Sequence, residues 1–188
     1  MDKEISIEQI KSGDDNAFKN LVDQYQEKVV NLCYSFTHNK EEALDLSQDV
    51  FIKIFHSIHS FREDASLSTW IYRITVNTSL NYVKKKKRWN WWNSLDEVFQ
   101  SQNGEMQQDY PADDDLPGEG MEREEQYRQL YAAIDSLPEK QRIALTLNKF
   151  EEMPYKEIAR VMHLNTSEVG VLINRARKKL QKKLIAKS

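Results

Sequence analysis

Cysteine occurs once, at Cys33, so the chain can form neither an internal disulfide nor a cysteine-built zinc cage. The four histidines are scattered without ligand spacing, and no metal or cofactor is expected. Glycine and proline are scarce, at five and four, while Leu, Ile, Lys and Glu are abundant, which favours a soluble, mainly helical protein. No apolar run approaches the ~20 residues of a membrane span. The opening MDKEISIEQI lacks the apolar core of a signal peptide. A cytoplasmic protein without membrane insertion is the expectation. At 188 residues the chain has room for one domain or two small ones.

What the sequence has in quantity is charge, unevenly placed. Between Leu95 and Glu125 eleven acidic residues stand against one basic residue, so a net −10 lies there and the rest must carry +7 to give the overall −3. Much of that positive charge sits in two blocks, Lys84–Arg88 and Arg175–Lys187. An acidic, Gln-, Asp-, Gly- and Pro-rich stretch between two basic-edged halves has the composition of a tether, and no regular structure is expected over Ser94–Gly120.

Apolar periodicity supplies the helices. Ile5, Ile7 and Ile10 suggest a short one, stopped at Ser12-Gly13. Asp14 or Asp15 can cap the next, where Phe18, Leu21, Val22, Tyr25, Val29, Leu32, Cys33 and Phe36 step by threes and fours. Cys33 lies on that apolar face and reads as a packed, inert thiol. After His38-Asn39, a third helix over about Lys40–His59 buries Ala43, Leu46, Val50, Phe51, Ile54, Phe55 and Ile58, leaving Asp45, Gln48, Asp49 and Lys53 outside.

A polar loop, Arg62–Ser66, leads into a fourth helix capped by Ser66 or Ser68. One face carries Leu67, Ile71, Ile74 and Val83. A second carries Arg73, Asn77, Asn81 and Lys84, with Trp70 and Tyr72 at the entrance. Cations, amides and aromatics beside a flexible loop suit phosphates and unpaired bases, although a solvated amphipathic helix would look similar. Trp89, Trp91 and Trp92 follow, and packing over the end of the bundle is their default reading.

The second half has a stripe at Tyr127, Leu130, Tyr131, Ile134 and Leu137, then a helix opened by Pro138. Pro154–Met162, the turn His163-Leu164-Asn165 and a helix from Asn165 or Thr166 past Leu180 form a compact pair. Ala159 is small at their crossing and Leu164 can plug the corner. This is the pattern of a helix-turn-helix, whose second helix enters a DNA major groove. The expected fold is all-α: two small helical domains, 1–93 and 121–188, joined by a flexible acidic linker, 94–120, with the helix-turn-helix in the C-terminal one.

Both halves together resemble a small bacterial RNA polymerase sigma factor of the extracytoplasmic-function group, over nearly the whole chain. Asp45-Leu46-Ser47-Gln48-Asp49-Val50-Phe51 is similar to that family's D-L-x-Q-[ED]-x-F. The resemblance implies polymerase contacts at Asp45, Gln48 and Asp49, with Lys53 on the same helix. Ser68–Ile74, with Asn77 and Tyr82, resembles the family's minus-ten helix, and Ser60–Leu67 its base-capturing loop. Leu137-Pro138, Gln141-Arg142, Tyr155–Ala159, Val169 and Arg175-Ala176-Arg177 resemble its minus-thirty-five domain.

The resemblance implies core RNA polymerase and promoter DNA as partners, with promoter reading and melting as the function. It also implies an anti-sigma factor, often membrane-anchored in this family, and no catalysis by the chain itself. DNA contacts would come from Arg62, Trp70, Arg73, Asn77, Asn81, Lys84, Lys85, Lys87 and Arg88 in the first domain. In the second they would come from Thr166, Ser167, Glu168, Asn174, Arg175, Arg177 and Lys178. The chain departs from the pattern at His163, where Gly is usual, at Val76 and Asn81, where Arg and Asp are common, and at Gly170-Val171-Leu172, which often carries Lys, Ser and Arg. A stand-alone helix-turn-helix regulator is the alternative, and it has no use for the Asp45–Phe51 motif. A recombinase-like enzyme would need strands and a catalytic constellation that the first half lacks.

Overall fold

The α-helices of the first half begin where a side chain supplies an acceptor for free backbone amides. The computed structural model describes residues 5–100 and 129–185, with side chains over 5–89 and 129–185. Ser6 caps α1 (Ile7–Lys11). The Asp14 carboxylate accepts from the Asn16 and Ala17 amides and opens α2 (Asp15–Thr37). At the far end His38 takes left-handed backbone geometry, φ 53°, and Asn39 starts α3 (Lys40–Ser57) by accepting from the Glu42 amide. A 3-10 turn (Ile58–Ser60) follows. Ser66 Oγ accepts from the Thr69 amide at 3.2 Å and opens α4 (Leu67–Gln100).

The second half has α5 (129–135), α6 (Glu139–Lys149), α7 (Tyr155–Met162) and α8 (Thr166–Ile185). Pro138 and Pro154 stand just before α6 and α7, where a missing N–H costs nothing. No strand occurs among the described residues.

Two apolar cores share α4. Leu21, Val29, Cys33, Leu46, Val50, Ile54, Ile58 and Phe61 meet Ile71 in the first. The second gathers Ile143, Leu147, Ile158, Ala159, Val169, Ile173 and Ala176, and continues without a break onto Leu32, Phe36, Tyr72, Val76 and Leu80 of the first half. α4 therefore carries two apolar stripes. Leu67, Ile71 and Ile74 face α2 and α3, whereas Tyr72, Val76, Leu80 and Val83 face the second domain. Between the stripes run small polar residues that let α4 approach α2 closely. Thr75 Oγ1 donates to the Ile71 carbonyl at 2.9 Å, and Ser79 Oγ donates to Cys33 Sγ at 3.8 Å. Cys33 is wholly buried, and burial pushes its thiol up to about 12 despite the Ser79 contact, as an inert thiol requires.

Four expectations are corrected. Phe55, read as part of the buried stripe of α3, is 42 % exposed, because its turn faces outward beside Phe18 rather than into the core. Val83 packs against the second core and not with Leu67, Ile71 and Ile74, because α4 has an apolar partner on each side. The fourth helix does not stop near Arg88 but runs to Gln100, into the stretch read as linker. No glycine or proline interrupts it before Gly104, so composition alone could not mark its end. Trp89 does not cover the bundle. It is 66 % exposed, because the turn of α4 that carries it has passed beyond both cores. Trp91, Trp92 and residues 101–128 lie outside the described side chains.

Candidate nucleic-acid interface

The helix-turn-helix is built by α7, the turn and α8. Its turn needs positive φ at one residue, and His163 supplies it at 54°, in a position where glycine is usual. The Leu164 amide closes back onto the Ala159 carbonyl at 2.9 Å. α8 then starts with a reciprocal capping box. Asn165 Oδ1 accepts from the Glu168 amide at 2.8 Å, and Glu168 Oε2 accepts from the Asn165 amide at 2.8 Å. Gly170, whose place in a helix interior has no local benefit, faces the Tyr155 ring, and a Cβ there would sit 3.6 Å from it. Leu172 packs on the core while Val171 turns outward.

The sequence-predicted DNA residues of α8 do not all stand free. Thr166, Ser167, Asn174, Arg175 and Lys178 are exposed. The Glu168 carboxylate is occupied by the cap, and Arg177 Nη2 donates to Asn148 Oδ1 of α6 at 3.1 Å.

On α3, Asp45, Gln48, Asp49 and Lys53 are all exposed, and Leu44, Ile52 and Phe55 interleave with them as apolar side chains open to solvent. Lys53 leans toward α4 and donates to Thr78 Oγ1 at 3.3 Å. With His56, Ser57, Ile74, Asn77, Thr78 and Asn81 it lines an open groove of about 450 Å³. The structure thus joins Lys53 of the α3 set to Asn77 and Asn81 of the α4 set along one groove, and leaves Asp45, Gln48 and Asp49 outside it. His56 belongs to it, although helical spacing alone does not single it out.

The loop before α4 begins at buried Phe61, whose carbonyl accepts from Lys11 Nζ at 2.9 Å. Trp70 is half-buried against the Phe61 ring, centroids 5.3 Å apart, and Arg62 is exposed. Within the basic block Lys84 pairs with Glu139 at 2.9 Å and Lys86 pairs with Glu42, while Lys85, Lys87 and Arg88 stand in solvent.

The second domain lies across part of the α4 polar face. Arg73 Nη2 donates to the Arg160 main-chain carbonyl at 2.8 Å, and Tyr72 Oη donates to Glu151 Oε2 at 3.3 Å. Burial and the neighbouring Glu151 carboxylate raise the Tyr72 phenol well above its ordinary value, so it remains a donor. At the other end His38 Nε2 lies 3.3 Å from Asp135 Oδ2, and Arg142 Nη1 donates to Asp135 Oδ1 at 3.0 Å. The Arg142 guanidinium also lies 5.7 Å from the Phe36 ring centroid, and Tyr131 lies against the His38 ring at 4.4 Å. Burial alone would raise the Asp135 carboxyl, but the His38 hydrogen bond and charge together with Arg142 outweigh it and lower it.

An all-α chain with a capped helix-turn-helix, a second helical domain and basic faces on both is a two-module DNA-binding protein. Comparison with known proteins narrows the class. Residues 21–89 match the model of sigma-70 region 2, and residues 127–180 match that of sigma-70 region 4. The chain is 35 % identical over 180 residues to the RNA polymerase sigma-H factor of Pseudomonas aeruginosa, covering 95 % of this chain and 91 % of that protein. Its identity to the ECF RNA polymerase sigma factor SigW of Bacillus subtilis is 33 % over 178 residues, covering 95 % and 94 %. Among solved structures, CnrH in complex with the cytosolic domain of CnrY shares the fold at TM-score 0.67 and 22 % identity, covering 97 % of this chain and 96 % of that one.

The chain belongs to the sigma-70 family of bacterial transcription initiation factors, in its extracytoplasmic-function group. It is a sigma factor, binding core RNA polymerase and directing initiation at promoters, and the stand-alone regulator is set aside. No helix among the described residues is long and apolar enough to cross a membrane.

Proposed function

We propose the following division of labour. Residues 1–93 dock on polymerase and open the minus-ten element, 94–120 tether, and 121–188 read the minus-thirty-five element as duplex. The outer face of α3, with Asp45, Gln48, Asp49 and Lys53 among exposed Leu44, Ile52 and Phe55, is the polymerase surface. Exposed apolar side chains flanked by charge suit a partner that buries them. The groove from Lys53 and His56 to Asn77 and Asn81 takes the non-template strand, and its amides can hydrogen-bond base edges. Trp70 and the Arg62 loop hold an extruded base, offsetting part of an unstacking cost of a few kcal/mol. Lys85, Lys87 and Arg88 hold phosphates.

The observation that carries this reading is that α3, the α4 groove and α8 each leave their chemistry toward solvent. Arg73 and Lys84, by contrast, are engaged by the second domain. The two domains therefore separate before Arg73 and Lys84 reach DNA. An anti-sigma factor is a natural second partner, since the solved structures sharing the fold include a sigma factor bound to the anti-sigma factor NepR from Bartonella quintana. Work on DNA with polymerase supports a cytoplasmic location, and no catalytic step is assigned to the chain.

The test is transcription from a randomised promoter library with bacterial core polymerase. A defined start site that needs the protein and disappears with Asp49→Arg is the expected result. Unchanged activity of that variant, at normal expression and folding, would remove the polymerase role from the α3 face.

A further inference from the structure

An isolated exposed valine needs no explanation, but Val171 occupies a special place. It is 48 % exposed, on the first half of α8. Val169, Ile173 and Ala176 define the buried side of α8, and at 100° per residue Val171 lies almost diametrically opposite their mean direction. Its neighbours on that outer face are Ser167, Asn174, Arg175 and Lys178, all exposed and all able to hydrogen-bond. An apolar side chain thus sits on the outermost face of the helix, ringed by polar groups.

β-branched valine is also a mediocre choice for an exposed helical site, so helix stability does not account for it. Of the two residues beside it, Gly170 has no side chain to offer and lies against the Tyr155 ring, and Leu172 packs inward. Only Val171 of that tripeptide is left for a ligand.

Major-groove edges offer one apolar feature, the C5-methyl of thymine, and short apolar side chains read it by contact. We infer that Val171 reads a thymine methyl in the upstream duplex and sets the sequence preference of this chain at that base pair. The inference rests on the proposal that α8 reads the upstream element. Asn174, Arg175 and Ser167 supply the polar contacts around the methyl, and Lys178 a phosphate contact.

The experiment uses the full chain assembled with core polymerase. Promoters are selected from a library randomised upstream, for the wild type and for Val171→Ser, a substitution at an exposed site that leaves both cores intact. One upstream position should select thymine, on either strand, with the wild type and lose that preference with Val171→Ser, other positions being unchanged. Replacing that thymine by uracil removes only the methyl, and should weaken wild-type binding by about fourfold, the equivalent of one buried CH₂. It should leave Val171→Ser unaffected. Equal response of both proteins to uracil at every upstream position, while initiation still depends on the protein, would overturn the thymine reading and leave the sigma function standing. Failure of the wild type to support initiation at all would overturn both.

Discussion

Arg73 on α4 donates to the main-chain carbonyl of Arg160 on α7 at 2.8 Å. A cation on α4 is thereby held by the first helix of the helix-turn-helix, and part of the α4 polar face serves as the other domain's docking surface. Tyr72, Val76 and Leu80 continue that contact as apolar burial, which makes the closed arrangement more than a set of surface ion pairs.

Val76 is the sharpest probe of closure, being 4 % exposed within the shared core. Val76→Arg buries an unpaired charge only while the domains are docked, at several kcal/mol. A larger radius of gyration by small-angle scattering is expected, with helix content unchanged. A variant as compact as the wild type would show that Val76 does not hold the domains together.

Asp135 makes closure sensitive to acid. Its folded-state carboxyl lies below the ordinary value, so its contribution is complete above the unfolded value of about 3.9 and is lost as pH falls through the lowered one. Asp135→Asn leaves the buried Arg142 without its charged partner, a loss of about 1–3 kcal/mol at neutral pH. The melting-temperature gap between wild type and variant should shrink as the pH drops below about 4. A gap that widens in acid would contradict this sign.

Gly170 offers a gain. An added Cβ would meet the Tyr155 ring at 3.6 Å, ordinary van der Waals contact, so Gly170→Ala should keep the α7–α8 packing. The helix then recovers about 1 kcal/mol of propensity, seen as a melting point higher by about 2–4 °C. A lower melting point would mean that Tyr155 cannot accommodate the methyl.

Local rules made most of the fold legible. Asp14, Asn39, Ser66 and Asn165 cap where short polar side chains precede apolar runs, and His38-Asn39 breaks the chain as expected. His163 takes the positive φ that its turn required. The second stripe of α4 was present at Tyr72, Val76, Leu80 and Val83, yet period alone cannot say that a helix has two apolar partners when one of them is distant in sequence. The site was legible as residue types but not as engagements. The Asn165-x-x-Glu168 spacing of a capping box could have shown that Glu168 spends its carboxylate on a cap, but nothing in the sequence shows that Arg177 turns back to Asn148 or that Lys53 joins the groove of Asn77 and Asn81.

The shared stripe on α4 has a consequence for the life of the molecule. Separating the domains strips cover from Tyr72, Val76 and Leu80 together, and water is a poor replacement. An opened chain without polymerase should therefore be the form most prone to self-association and to cleavage. Its survival in a protease time course, with and without core polymerase, would show this as a difference in half-life. The contact that covers this stripe would then act as a chaperone for it, handing α4 from one cover to the next.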